Sequence, residues 1–147
     1  MILERGDMWS VFHETDVFMI TTNPIIRKDG AVVMGRGIAY EAKTRYPELP
    51  YEFAEMYTKY PNNIGYIGEF DGTRVYWFMV KEHWAKDADP SIISKSVDEV
   101  IDMFGYSSER VDLNFPGIGN GKLSRREVLP ILWKLPSNIH IWEKGVN

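Results

Sequence analysis

Two glycine-rich stretches and one lysine are the groups in this chain whose types and spacing could do chemistry. The first stretch runs from Gly30 to Gly37 and includes Gly35-Arg36-Gly37-Ile38; the second is Pro116-Gly117-Ile118-Gly119-Asn120-Gly121. Each follows an apolar, β-rich run and precedes a pattern of helical period. Glycine lets backbone approach an anion closely, and the N–H groups at the following helix end add partial positive charge. Two such corners in one fold could clamp a diphosphate from both sides. The same glycines would also serve plain tight turns, and their spacing fits neither the P-loop nor the G-x-G-x-x-G pattern. Lys81 closes the apolar run Val75–Val80 and opens a charged segment. A lysine there becomes a nucleophile if desolvation lowers its pKa; otherwise it is a solvated strand-end charge.

Other chemistries lack their parts. The 147 residues include no cysteine, which removes disulfides, iron–sulfur clusters, thiolate zinc sites and a cysteine nucleophile. His13, His83 and His140 stand far apart with no ligand spacing, so neither a metal nor a cofactor is expected. There is no G-x-S-x-G elbow. With Lys+Arg 17 against Asp+Glu 21, the net charge of −4 argues against an extended electrostatic grip on nucleic acid. It leaves open a phosphate held by backbone amides.

The elements that must position these groups alternate between strand and helix, which predicts a layered α/β fold. Val17–Thr22 reads as a buried strand ending at Asn23-Pro24. Arg36–Tyr46 reads as a helix stopped by Pro47 and Pro50, and Tyr51–Tyr60 as a second short helix. Ile64–Phe70 and Thr73–Val80 flank Asp71-Gly72, a hairpin signal. Asp89-Pro90 caps an amphipathic helix carrying Ile93, Val97, Val100, Ile101 and Phe104. Val111–Phe115 is a strand, Ser124-Arg125-Arg126-Glu127 is a capping box opening another helix, and Asn138–Glu143 is the last strand. A chain of 147 residues is expected to form one domain stable as a monomer. No apolar run approaches the ~20 residues that span a bilayer. The N-terminus lacks a basic-then-apolar leader, so a cytoplasmic protein without membrane contact is expected.

These residues together resemble the macro domain family over nearly the whole chain. The pieces that carry the resemblance are Gly6-Asp7, Val33-Met34-Gly35-Arg36-Gly37-Ile38-Ala39, and Pro116 to Gly121 followed by Glu127-Val128-Leu129-Pro130. Phe78-Met79-Val80-Lys81-Glu82-His83-Trp84 is similar to the branch of terminal ADP-ribose protein glycohydrolases and DNA ADP-ribosyl glycohydrolase antitoxins. The resemblance implies a three-layer α/β/α domain with a mixed sheet of about six strands. It implies ADP-ribose bound above the strand C-termini. Asp7 would meet the adenine amino group, and Asn23 would lie near the distal ribose. Gly35, Arg36, Gly37 and Ile38 would form the first phosphate loop, and Gly117, Ile118, Gly119, Asn120 and Gly121 the second. Trp142 would lie against the nucleoside end, or simply fill core.

In that branch the lysine matched by Lys81 attacks the anomeric carbon of the distal ribose, and an acid in the second loop helps resolve the adduct. Here the matching stretch is Gly121-Lys122-Leu123-Ser124, with no carboxylate. Glu127 is the expected capping partner of Ser124. Asp29, Glu82 and Asp87 are other carboxylates, and Pro24–Asp29 is an added segment expected near the distal ribose. The implied function is hydrolysis of ADP-ribose from DNA, protein or a small molecule. The alternative is a non-catalytic ADP-ribose-binding module.

Overall fold

Val17–Thr22 is apolar almost throughout because both of its faces are covered. In the computed structural model, which describes residues 1–145, this strand (β2) lies inside a six-stranded sheet. The other strands are β1 (Ile2–Arg5), β3 (Ile64–Phe70), β4 (Thr73–Met79), β5 (Val111–Asn114) and β6 (Ile139–Glu143). Their order is β1-β6-β5-β2-β4-β3. Every neighbouring pair is parallel except the β3–β4 hairpin. The helices are α1 (Gly37–Arg45), α2 (Leu49–Lys59), α3 (Pro90–Phe104) and α4 (Arg125–Leu132).

Successive β2 side chains point to opposite faces, and two cores result. Val17 and Met19 pack with Ile93, Val97 and Val100 of α3 and Val128 and Leu132 of α4. Phe18 and Ile20 pack with Ala39 and Ala42 of α1 and Phe53 of α2. Helices therefore cover both faces of a mixed sheet, the expected three-layer α/β/α arrangement.

Local signals explain most boundaries. Asp71 and Gly72 take φ of 49° and 84°, the two left-handed residues of a tight hairpin turn. Asp89 accepts from Ser91 N at 2.8 Å with Pro90 in the first turn of α3. Ser124 and Glu127 form both halves of the capping box of α4. One expectation fails. Only Pro47 lies between α1 and α2; Pro50 sits in the first turn of α2, where the amide hydrogen it lacks has no helical acceptor anyway.

The sheet also shows where glycine is required by packing. A Cβ on Gly65 would overlap the Trp77 ring, which stacks on Phe53 at 5.1 Å and donates its indole N–H to Asn62 O at 2.9 Å. Gly65→Ala should cost about 1–3 kcal/mol through overpacking, read as a lower urea midpoint with unchanged m-value.

Candidate functional site

Parallel pairing brings the C-terminal ends of β2, β4, β5 and β6 to one edge, and a cleft of about 1160 Å³ opens there. All thirteen residues singled out from the sequence line it, from Asp7 and Trp142 to Lys81. Such a crevice beyond strand ends is where open α/β sheets take ligands.

The first loop leads into α1. Arg36 is the N-cap in extended conformation (φ −148°, ψ 158°), and its side chain caps nothing. Gly37 begins the helix at φ 59°. Among the described residues, the amides of Gly37, Ile38 and Ala39 donate to no protein group; the first helical bond is Tyr40 N to Arg36 O at 3.3 Å. Gly35, Arg36 and Gly37 are exposed and Ile38 half-buried. Three free N–H groups at a helix start are suited to an anion.

The second loop faces it. The amides of Ile118, Gly119 and Asn120 likewise donate to nothing among the described residues. Gly119 takes φ 65° in open space. Gly121 is glycine for lack of space, and Gly117 for both its φ of 80° and lack of space. A Cβ on Gly117 would lie 2.7 Å from Ile93 Cδ1, and one on Gly121 would lie 2.9 Å from Ala88 Cβ. Those two seat the loop on the start of α3. The two loops nearly touch, since a Cβ on Gly37 would lie 3.6 Å from Asn120 Nδ2.

One end of the cleft is aromatic. Asp7 Oδ1 accepts from Trp9 N at 3.0 Å and so caps the 3₁₀ turn Met8–Val11. The Trp142 indole donates to Asp112 Oδ1 at 2.7 Å. Asp112 is fully buried and also receives Arg110 Nε at 2.9 Å and Nη2 at 3.1 Å. Trp142 is therefore pinned at the cleft wall, half-buried and packed against the core that holds Phe18 and Ile20. Sequence reasoning missed Trp9, whose indole donates to Glu41 Oε1 at 2.8 Å and whose ring lies 4.1 Å from the Arg45 guanidinium. It also missed Thr21 and Asn114, which pair side by side at the ends of β2 and β5. Polar residues closing adjacent parallel strands are the signal that would have found that pair.

Asn23 is in the cleft but is already engaged. Its Nδ2 donates to Val33 O at 3.0 Å and its Oδ1 accepts from Ile25 N at 2.9 Å. The amide staples the added segment, which folds back through Arg27 N to Ala31 O at 2.7 Å. None of residues 24–32 lines the cleft, and Asp29 pairs with Arg27 and accepts from the Tyr51 hydroxyl. The segment expected near the distal ribose is therefore not part of the cleft wall.

At the other end Lys81 is half-buried, with Nζ donating to Lys86 O at 3.2 Å. Burial lowers its pKa, Asp87 opposes that shift, and Arg36 and Lys122 reinforce it. Asp87 Oδ1 lies 3.9 Å from Lys122 Nζ. Glu82, which does not line the cleft, pairs with Lys86, and Glu127 is committed to the α4 capping box. Among the described residues no three His, Cys, Asp or Glu side chains cluster as a metal site, and no helix is long and apolar enough to cross a membrane.

No family model and no curated protein matches the sequence. Solved structures do match. DarTG of Thermosipho africanus in complex with ADP-ribose superposes with TM-score 0.74 at 17% identity, over 99% of this chain and 42% of that one. The macrodomain of Mycobacterium tuberculosis DarG gives TM-score 0.70 at 21% identity, over 99% of both chains. The Thermus aquaticus DarG macrodomain gives 0.68 at 17%, over 99% and 97%. This chain has the macrodomain fold. The macrodomain sheet accounts for the cleft's location; the side chains around it are this chain's own.

Asp112→Ala should cost about 3 kcal/mol, because it strands Arg110 and the Trp142 N–H together. Trp142→Phe should cost only about 1 kcal/mol, since it removes one hydrogen bond and keeps a ring. Urea denaturation of both variants checks the difference. Arg36→Gln should raise the Lys81 pKa toward the ordinary lysine range by removing a like charge, read from the titration of labelled lysine Nζ resonances.

Proposed function

We propose that the cleft binds ADP-ribose across its two loops and that the protein hydrolyses it from a modified target. The observation that carries this reading is the half-buried Lys81 at one end of a double row of backbone amides without partners among the described residues. The adenosine end lies between Asp7 and Trp142. The diphosphate lies over Gly35, Arg36, Gly37 and Ile38 on one side and Gly117, Ile118, Gly119, Asn120 and Gly121 on the other. The distal ribose then points to Lys81. The DarTG neighbour, solved in complex with ADP-ribose, supports the ligand; this chain spans 42% of that one.

Nucleophilic attack needs the neutral amine. Burial and two flanking cations favour that form of Lys81, while Asp87 limits the shift. The Nζ lone pair attacks the anomeric carbon, the target leaves, and water later releases ADP-ribose. No metal or cofactor enters this scheme. The target is DNA, protein or a small phosphate ester; a modified DNA base would be held through its ADP-ribose, given the net charge of −4. The reading takes the chain as one cytoplasmic, monomeric macrodomain without membrane contact. A second reading, a binding module without turnover, is favoured by Lys122 standing where the related hydrolases carry an acid.

Calorimetric titration should show binding that needs whole ADP-ribose, with AMP and ribose phosphate far weaker. At 100 times its dissociation constant the ligand should stabilise the fold by ~2.7 kcal/mol. Lys81→Ala should abolish release of ADP-ribose from modified DNA or peptide while leaving binding in place. Binding by the wild type with no turnover on either substrate selects the module reading. Absence of heat and of thermal stabilisation at millimolar ADP-ribose overturns both.

A further inference from the structure

The second loop has a lysine where an acid would be expected, and the carboxylate nearest the distal end comes from the opposite wall. Among the described residues three carboxylates line the cleft, Asp7, Glu41 and Asp87. Asp7 caps the 3₁₀ turn and Glu41 holds the Trp9 indole, both at the aromatic end. Of the three, Asp87 is the one on the loop that Lys81 opens.

Its placement is fixed by the backbone. Lys81 Nζ donates to the carbonyl of Lys86 at 3.2 Å, so Asp87 begins one peptide unit from the nucleophile. The residues after it are tied on two sides: Ala88 N donates to Gly121 O at 2.9 Å, and Asp89 N to Val80 O at 2.8 Å. Val80 immediately precedes Lys81, so residues 81–88 form a closed loop with nucleophile and carboxylate at its two ends. The side chain reaches toward Lys122, 3.9 Å away, which occupies a left-handed position (φ 62°) directly after Gly121. The cation on the second loop and the anion on the lysine loop thus exchange the expected positions.

We propose that Asp87 is the general base that frees the sugar from Lys81, in place of the acid the second loop lacks; this rests on the hydrolase reading above. In the first step the Nζ lone pair bonds to the anomeric carbon. The bond from that carbon to the target breaks, and its electron pair leaves with the target atom, which takes a proton from solvent. In the second step a water oxygen bonds to the anomeric carbon while its proton passes to the Asp87 carboxylate. The carbon–Nζ bond breaks and its pair returns to nitrogen, restoring the neutral amine. Asp87 then gives its proton to solvent. One water is consumed, and free ADP-ribose and the unmodified target are the products.

The experiment follows the full chain acting on a DNA oligonucleotide with ADP-ribose on a base and on a peptide with ADP-ribose on a side chain. Product release and intact protein mass are read together. Asp87→Asn should slow release by 10²-fold or more and accumulate protein heavier by one ADP-ribosyl group. The Lys81→Ala/Asp87→Asn double variant should show no such mass, and Asp87→Glu should restore part of the rate. Because Asp87 is exposed, the variants should melt and bind ADP-ribose as the wild type does. Release by Asp87→Asn as fast as wild type overturns the proposal and leaves the hydrolase reading standing. Slow release without the adduct also overturns it. A wild type that binds ADP-ribose but releases none overturns the hydrolase reading, and this proposal with it.

Discussion

Parallel pairing of β2 with β4 and β5, and of β5 with β6, is the constraint on which the rest depends. Parallel strands must all leave the sheet at the same edge, and their connections must cross back over its faces. Burial of both faces of β2 locks that register, because a slip of one residue would send Phe18 and Ile20 to the wrong core. Everything with chemical potential then gathers at one rim: Asn23 after β2, Lys81 after β4, the second glycine loop after β5 and Trp142 near the end of β6. The residues are distant in sequence and need no long-range attraction of their own to meet.

Much of this could be read from the chain because the signals were local. The Asp71-Gly72 turn, the Asp89-Pro90 start and the Ser124–Glu127 box are each complete within a few residues, and each appears as expected. Pro50 was misread because a proline that breaks a helix and one that opens a helix look alike in sequence. The residues that share the cleft were legible as a set, since glycine corners and a strand-end lysine are positional signals. Their second duties were not. Nothing in the sequence says that the Asn23 amide is committed at both ends, or that Gly117 and Gly121 are small because Ile93 and Ala88 lie beneath them. The Trp9–Glu41 and Thr21–Asn114 contacts join residues whose association exists only after the layers assemble.

Charge around the cleft is arranged by position more than by amount. The chain carries a net −4, yet Arg36, Lys86 and Lys122 line the end that holds Lys81. Burial, Arg36 and Lys122 favour a neutral Lys81, and Asp87 tempers them. Backbone amides supply the remaining positive field without drawing on formal charge, so an acidic protein can present an anion-binding groove.

Ala88 has a consequence beyond packing. Its Cβ fills the space under Gly121, and its N–H is bonded to the Gly121 carbonyl. The loop carrying the lysine and the loop facing the first glycine corner are therefore joined directly, by one hydrogen bond and one close contact. A side chain larger than alanine at position 88 would therefore press on the second loop from behind the groove.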